Sequence, residues 1–346
     1  LDSRTFNLSW DLSGLQLKAI SGSAWHGGVQ AHGKLQGHFQ RFSAQMSCSV
    51  EDLSGGSLLP SRLQVEAKAA QLPGSPQGDL SFSLSRRKAT LQGEARFAAL
   101  PKRLSLQGAR LTAPGLLGRG SCTWQPQSKA LSAKWSMRAD NLDWLQPFVH
   151  SRTSGRLSAE LSLEGTLLKP SGTLSLEMND LQTPWLAAET AKAEARFRDL
   201  TELAGSLSFT GSGIRAAGLQ LEQAAITAEG ERNAAELDLQ AKGRYAGQAL
   251  SLETSARARH GPEETQIALP SGRLRLGDLQ ALWSQPISLR QDGSGLSLKA
   301  PALSAGGGQA EARLLWKKKS LDGRVSLSGF NLQSLPATSL PKLEGL

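Results

Sequence analysis

An apolar residue alternates with a polar one through most of this sequence, and the segment from Ser154 to Gln182 shows the pattern most clearly. Every second residue from Leu157 to Leu163 is leucine or alanine, and serine and glutamate lie between them. The alternation resumes from Leu174 to Met178, after a break that contains Pro170. Because successive side chains of a strand point to opposite faces, each arm has one apolar and one polar face. The segment therefore predicts a β-hairpin with one apolar side.

The same alternation recurs along the chain, often after a glycine in the pattern Gly-x-apolar-x-apolar. This opening occurs at Gly78, Gly155, Gly172, Gly205, Gly272 and Gly323. Its irregular spacing argues against a solenoid of fixed repeat length. A one-residue slip in the alternation between Leu106 and Ala109 predicts a β-bulge or a new strand.

Three segments have apolar residues nearer to helical spacing, and each predicts a short helix: Asp140–Phe148, Gly277–Pro286 and Phe330–Pro341. The first two precede fresh runs of alternation, so we expect them to separate blocks of strands. The predicted blocks are residues 1–139, residues 140–276, and residues 277–346, the last one truncated at its C-terminal end.

Composition bears on what covers the apolar faces. Aromatic residues make up 5% of the chain, with a single tyrosine, while 36 residues are glycine. Such a chain supplies few large side chains to fill a core between two sheets. We therefore predict an all-β fold with around twenty strands and a few short helices. The strands would form a long, twisted and folded sheet, antiparallel or mixed, with an open apolar groove; a two-sheet sandwich is the alternative.

The net charge of +9 is spread along the chain, often beside glutamate. The densest basic runs, Arg86–Lys88 and Lys317–Lys319, are interpreted as solvated turns, with weak attraction to anionic lipid as the alternative. Nucleic-acid binding would require basic residues interleaved with exposed aromatic residues. That pattern is missing, so we expect no nucleic-acid partner.

Nothing in the sequence assembles a catalytic site, and we expect neither an enzyme nor a cofactor or metal. The spacing of His26, His32 and His38 is regular, but glycines interrupt it and no carboxylate or cysteine joins at ligand spacing. The glycines at residues 211–213 are followed by strand-like alternation instead of the helix that a dinucleotide-binding loop requires.

Cys48 and Cys122 occupy apolar strand positions. They would either pair in an oxidising compartment or serve as small buried apolar residues, and the sequence leaves both open. No apolar run reaches the length of a membrane helix. Since the chain begins at Leu1 without a start methionine, we expect it to be a piece of a longer protein whose membrane anchor lies outside it.

Three stretches resemble the TamB branch of the AsmA-like proteins: Gly155 to Gln182, the preceding Ala139 to Val149, and Ile20 to Val29. The resemblance implies a periplasmic body segment of a bridge that is anchored in the inner membrane. It implies a β-taco-like folded sheet whose groove conducts phospholipid, or another acyl-chain lipid, between the inner and outer membranes. An outer-membrane barrel similar to TamA is the implied partner. The alternative is an assembly or chaperone module for outer-membrane β-barrel proteins.

On the conduit interpretation, acyl chains would lie against the apolar residues of the predicted strands. These are Leu80, Phe82, Leu84, Leu157, Leu161, Leu163, Leu174, Leu176, Leu207, Phe209, Leu237, Leu239, Leu250 and Leu252.

Overall fold

The structure is a computed structural model. It describes residues 5–17, 25–56, 58–149, 152–202, 204–261, 264–293, 295–305, 307–317 and 320–329. The described residues contain 23 β-strands, and Asp143–Leu145 forms one turn of 3-10 helix. The chain divides into two compact units, Leu1–Pro184 and Trp185–Leu346. The three blocks expected from the sequence stay a prediction.

Unit 1 is an antiparallel meander in which each strand pairs with the next one along the chain. Turns of two to four residues join most of these strands, as antiparallel neighbours permit, while a longer segment connects β9 to β10. The strands are β1 (Thr5–Gln16), β2 (His26–His38), β3 (Arg41–Gly55), β4 (Leu58–Leu72), β5 (Gln77–Arg86), β6 (Ala89–Leu100), β7 (Arg103–Ala113), β8 (Leu116–Gln125), β9 (Ala130–Ala139), β10 (Ser154–Thr166) and β11 (Lys169–Gln182).

Unit 2 is also antiparallel throughout its described strands. They are β12 (Ala187–Asp199), β13 (Ala204–Ala216), β14 (Leu219–Glu231), β15 (Ala234–Tyr245), β16 (Gln248–His260), β17 (Glu264–Leu269), β18 (Gly272–Leu276), β19 (Leu279–Trp283), β20 (Ile287–Asp292), β21 (Gly295–Ala305), β22 (Gly308–Lys317) and β23 (Ser320–Ser328).

At two positions in the sheet of unit 2, two short strands lie end to end in place of one long strand. Strand β16 pairs with both β17 and β18, and these pair in turn with β20 and β19. Strand β21 then pairs with both β20 and β19. Pro270 and Pro286 lie at the two breaks. Because proline has no amide hydrogen to donate, it interrupts a ladder at such positions.

The register places the alternating apolar residues of unit 1 on one face. Residues directly opposite each other in an antiparallel pair share a face, so a row can be followed from strand to strand. One row from β1 to β11 contains only apolar residues and glycine: Leu12, Ala31, Cys48, Val65, Phe82, Gly93, Leu111, Gly118, Met137, Ala159 and Leu176. The row beside it, on the other face, begins at Asp11 and ends at Ser175, and all its members are polar.

Unit 2 segregates its side chains in the same way. One row from β12 to β19 contains only small and apolar residues: Ala191, Gly211, Ala224, Ala241, Leu252, Leu274 and Ala281. Each unit therefore has one apolar face and one polar face, as the alternation predicted.

Large aromatic side chains on the apolar faces lie over glycines of the neighbouring strand. Trp10 covers Gly33, Phe82 covers Gly93, Trp135 covers Gly120, and Trp283 covers Gly272. A Cβ added at any of these glycines would overlap the aromatic ring. The rings thus occupy space that a second side chain would otherwise fill, which keeps the apolar face shallow.

The prediction of a few short helices was wrong. Within Asp140–Phe148 only one turn of 3-10 helix forms. Residues 277–286 form a hairpin turn and strand β19 instead. Leu282 made the spacing resemble a helix, but it points away from Trp283 and is 50% exposed. The third segment, Phe330–Pro341, lies outside the described residues.

Residues 140–149, here called the strap, cross from the end of β9 to the start of β4. The amides of Asp140 and Leu142 donate to Gly115 and Gly155 at one end of the strap. At the other end, the Leu59 amide donates to the Phe148 carbonyl at 2.8 Å. The guanidinium of Arg86 donates to the carbonyls of Pro60 and Pro147. The strap thus runs across one end of the strands of unit 1 and is held there by these hydrogen bonds.

Replacing Gly120 by valine tests the packing of rings over glycines. Valine favours strands, but its side chain at this position would displace the Trp135 ring. We expect Gly120→Val to lower the free energy of unfolding by about 1–3 kcal/mol, the usual cost of overpacking. The control is Ser121→Val, because Ser121 is the next residue of β8 and is exposed on the other face. Chemical denaturation measures both, and equal stability of the two variants would contradict this packing.

Candidate functional site

The structure places all fourteen sequence-predicted residues on the apolar face of their own unit. Eight lie in unit 1, on β5, β10 and β11, and their cross-strand partners are apolar residues, glycine or alanine. Six lie in unit 2, on β13, β15 and β16. Of these six, Leu239 has a polar residue opposite it, because Thr254 is its partner on β16, and the other five have apolar residues or glycine as partners. Their role in binding a lipid stays a prediction.

Several of these side chains are open to solvent in the middle of a ladder. Leu80 is 38% exposed although β4 and β6 flank its strand. Leu207 is 43% exposed between β12 and β14. A side chain between the two layers of a sandwich would be buried. At these positions, therefore, no second layer covers the apolar face.

A small core occupies one edge of the apolar face in unit 1. Val29, Val50 and Leu53 are buried there. Leu84, one of the fourteen predicted residues, packs against this cluster and is half-buried. Leu58 joins the same cluster and forms a β-bridge with Val149 of the strap. The cluster therefore holds the strap against the ends of the strands. Because Leu84 packs against the cluster, less of its side chain is available to contact a bound lipid.

The strap is a structural feature that the sequence showed only in part. The spacing of apolar residues marked Asp140–Phe148 as different from its surroundings, but it gave no contact with β4 or β5. Leu142 and Phe148 are 6% and 3% exposed, so the strap contributes apolar side chains to the interior of unit 1. Trp144 packs edge-on against Phe148, with ring centroids 6.5 Å apart.

The polar faces carry cross-strand ion pairs. Examples are Arg62 with Glu51 at 2.8 Å, Arg273 with Glu253 at 2.6 Å, and Arg257 with Glu236 at 3.1 Å. All of these side chains are well exposed, so each pair adds at most about 1 kcal/mol. On β12 the Lys192 ammonium lies 2.6 Å from the Glu194 carboxylate and, as a hydrogen-bond donor and positive charge, lowers the pKa of Glu194. These pairs keep this face in water and leave the apolar face as the surface available to an apolar guest.

A shallow depression also lies on the polar face of unit 1, across strands β4 to β7. Its lining combines Glu66 and Glu94 with Arg110, serines, glutamines and Thr112, and it also includes Phe82 and Gly93. This mixed lining assembles no nucleophile with a base.

The histidines and cysteines form no reactive cluster in the described part of the chain. No group of three or more histidine, cysteine, aspartate or glutamate residues there is placed to hold a metal ion. Cys48 and Cys122 are free and half-buried. Both lie on the apolar face of unit 1, on β3 and β8, which fits the interpretation as small apolar residues. Among the described residues, no helix has the length and hydrophobicity needed to cross a bilayer.

Comparison with known proteins gives one relationship. No curated protein and no solved structure matches the chain. A family model described as the TamB N-terminal domain matches residues 4–278. That match includes β1 to β18, and with them the strap and all fourteen predicted residues. The chain therefore belongs to the TamB family.

Proposed function

We propose that the apolar faces bind the acyl chains of phospholipids, and that the chain is a periplasmic segment of a conduit between the inner and outer membranes. The observation that carries the proposal is the register. It keeps apolar side chains on one face across all the strands of unit 1, and mid-ladder leucines on that face stay open to solvent.

Family membership supports this setting. The TamB family is associated with the cell envelope and with the assembly module that contains TamA. We extend that association to this chain as a proposal: a segment anchored through the inner membrane by a part outside this sequence, with a TamA-like barrel as partner. Curling of the sheet into a groove around the lipid, with headgroups at an open lip, belongs to the same proposal.

The chemistry of the face suits an acyl chain. Each methylene removed from water contributes about 0.8 kcal/mol, so a whole tail would gain on the order of 10 kcal/mol. Leucine, alanine and glycine recur along the rows without a deep pocket or a charged group. The binding energy would therefore vary little from one position to the next, and a tail could slide. This passive role involves no catalytic step and no cofactor.

A second function is favoured by the edge of unit 1. Strand β1 pairs with β2 on one side and has no other partner strand in the described part of the chain. Leu8, Trp10 and Leu12 on this strand are 54%, 37% and 43% exposed. An open strand edge can pair with a strand of another protein. The chain would then assist the assembly of outer-membrane β-barrel proteins.

Lipid analysis of the purified chain tests the conduit directly. After expression in a bacterium with two membranes and purification without detergent, extracts should contain phospholipid at a stoichiometry of at least about one per chain. A soluble all-β protein of similar size, purified in parallel, measures the background. Extracts without phospholipid above that background would contradict the proposal.

A charge on either face of one strand distinguishes the faces. Leu161 and Ser162 are adjacent on β10 and face opposite sides, and both are half-buried. We expect Leu161→Arg, and equally Leu176→Glu, to reduce lipid transfer between vesicles by tenfold or more, because an unpaired charge among apolar side chains is costly. Ser162→Arg should retain transfer within about twofold. Equal losses in a fluorescent-phospholipid transfer assay, with folding checked by circular dichroism, would refute the face assignment.

A further inference from the structure

The turns of unit 1 lie at the two ends of its strands, and the two ends expose different kinds of side chain. Successive hairpins of a meander alternate between the two ends of the strands. One end, here called the strap edge, holds the strap and the buried cluster of Val29, Val50 and Leu53. The other end presents five turns, here called the tip edge: residues 39–40, 73–76, 101–102, 126–129 and 167–168.

Large apolar side chains are exposed along the tip edge. Phe39 is 78% exposed, Leu168 65%, Leu100 51% and Leu167 50%. These values exceed those of Leu80 and Leu174, which lie within the ladder. The tips at residues 39–40 and 167–168 are at the two ends of this row of turns, and Leu100 lies at the turn between them. The exposed apolar residues are thus distributed along the edge, in its turns or at the strand residue next to a turn.

Basic residues are interspersed with these apolar tips. Arg41, Lys102, Arg103, Lys129 and Lys169 are all exposed and lie in the turns or directly beside them. None of the five forms an ion pair with another described residue. Residues 38–41, 72–77, 100–103, 125–130 and 166–169 contain no aspartate or glutamate. Four of the five turns of the tip edge therefore carry a cation, none carries a carboxylate, and the turns at both ends of the row expose apolar side chains.

This segregation is not a general consequence of the basic composition. At the strap edge, Asp140 accepts from Arg138, and Asp143 lies three residues further along. In unit 2, the turn after β12 contains Glu202 beside Asp199, whose carboxylate accepts from Thr201. Other turns therefore mix both signs or hold carboxylates.

We propose that the tip edge of unit 1 docks on the surface of an anionic phospholipid membrane. Lysine and arginine near such a surface are attracted to its phosphates. Exposed phenylalanine and leucine insert into the boundary between headgroups and acyl chains, as on peripheral membrane-binding surfaces. Free phosphate or an acidic polypeptide would engage the cations but leave Phe39, Leu100 and Leu167 exposed to water. The combination of apolar tips with unpaired cations favours a membrane.

This docking does not depend on the proposed function. It uses the strand ends of unit 1, whereas lipid transfer uses the apolar face of the strands. A variant that loses docking should still copurify with phospholipid, and the two failures can be told apart.

Co-sedimentation of the purified chain with vesicles tests the proposal. We expect binding to vesicles of phosphatidylethanolamine with 30% phosphatidylglycerol, weaker binding in higher salt, and little binding to pure phosphatidylcholine. Since each cation near an anionic surface contributes about fivefold, Lys102→Gln, Arg103→Gln and Lys169→Gln together should weaken binding by about 100-fold. Leu100→Ser with Leu167→Ser should weaken the part of the binding that survives high salt, because Phe39 and Leu168 remain.

The matched control removes three cations from the strap edge: Arg87→Gln, Lys88→Gln and Arg152→Gln, which gives the same change in net charge. It should bind the anionic vesicles within about twofold of the original chain. Circular dichroism and denaturation midpoints verify that every variant is folded. Equal losses in the two sets would show attraction by net charge alone and overturn the proposal. So would a chain that binds soluble polyglutamate but not the vesicles.

Discussion

Register is the constraint on which the rest of this structure depends. In a sheet with one apolar face, a slip of one residue in any ladder would turn every later side chain to the wrong side. The ladder of unit 1 avoids this over eleven strands. Where the alternation of the sequence slips, between Leu106 and Ala109, the register shifts at the same place, and Gly108 adopts a positive φ of 57°. The bulge absorbs the extra residue, so Ala109 and Leu111 return to the apolar face.

Such a face is expensive to leave in water. Burial of a leucine stabilises a protein by about 1.5–3 kcal/mol, and the mid-ladder leucines forgo much of this. Apolar side chains are buried at the strap edge of unit 1. Elsewhere on the apolar faces, glycines stand where larger side chains would thicken a core, under Trp10, Phe82, Trp135 and Trp283. The exposed mid-ladder leucines and these glycines leave an apolar surface that another molecule would cover. That surface is the physical basis of the proposed lipid binding.

Much of this fold could be predicted because its signal is local. The hairpin expected around Pro170 forms as β10 and β11, with the turn two residues earlier than the proline, at residues 167–168. The helix expected at residues 277–286 failed because Leu282, on the opposite face to Ala281 and Trp283, gave the segment helical spacing.

Long-range contacts were beyond the sequence pattern. Arg86 reaches the Pro147 carbonyl across 61 residues, and no alternation encodes that contact. The tip edge was equally out of reach, since it depends on which turns share an end of the strands. The basic run at Arg86–Lys88 was correctly interpreted as a turn, although one of its members holds the strap.

The most direct test of the central claim is site-specific photo-crosslinking inside living cells. Leu207 and Ser206 are adjacent on β13, are both exposed, and lie on opposite faces. A photoreactive phenylalanine analogue at each position would report what touches each face. The account predicts phospholipid adducts, identified by mass spectrometry, at position 207 and not at position 206. Equal lipid labelling at both positions, or labelling of client proteins alone at position 207, would contradict it.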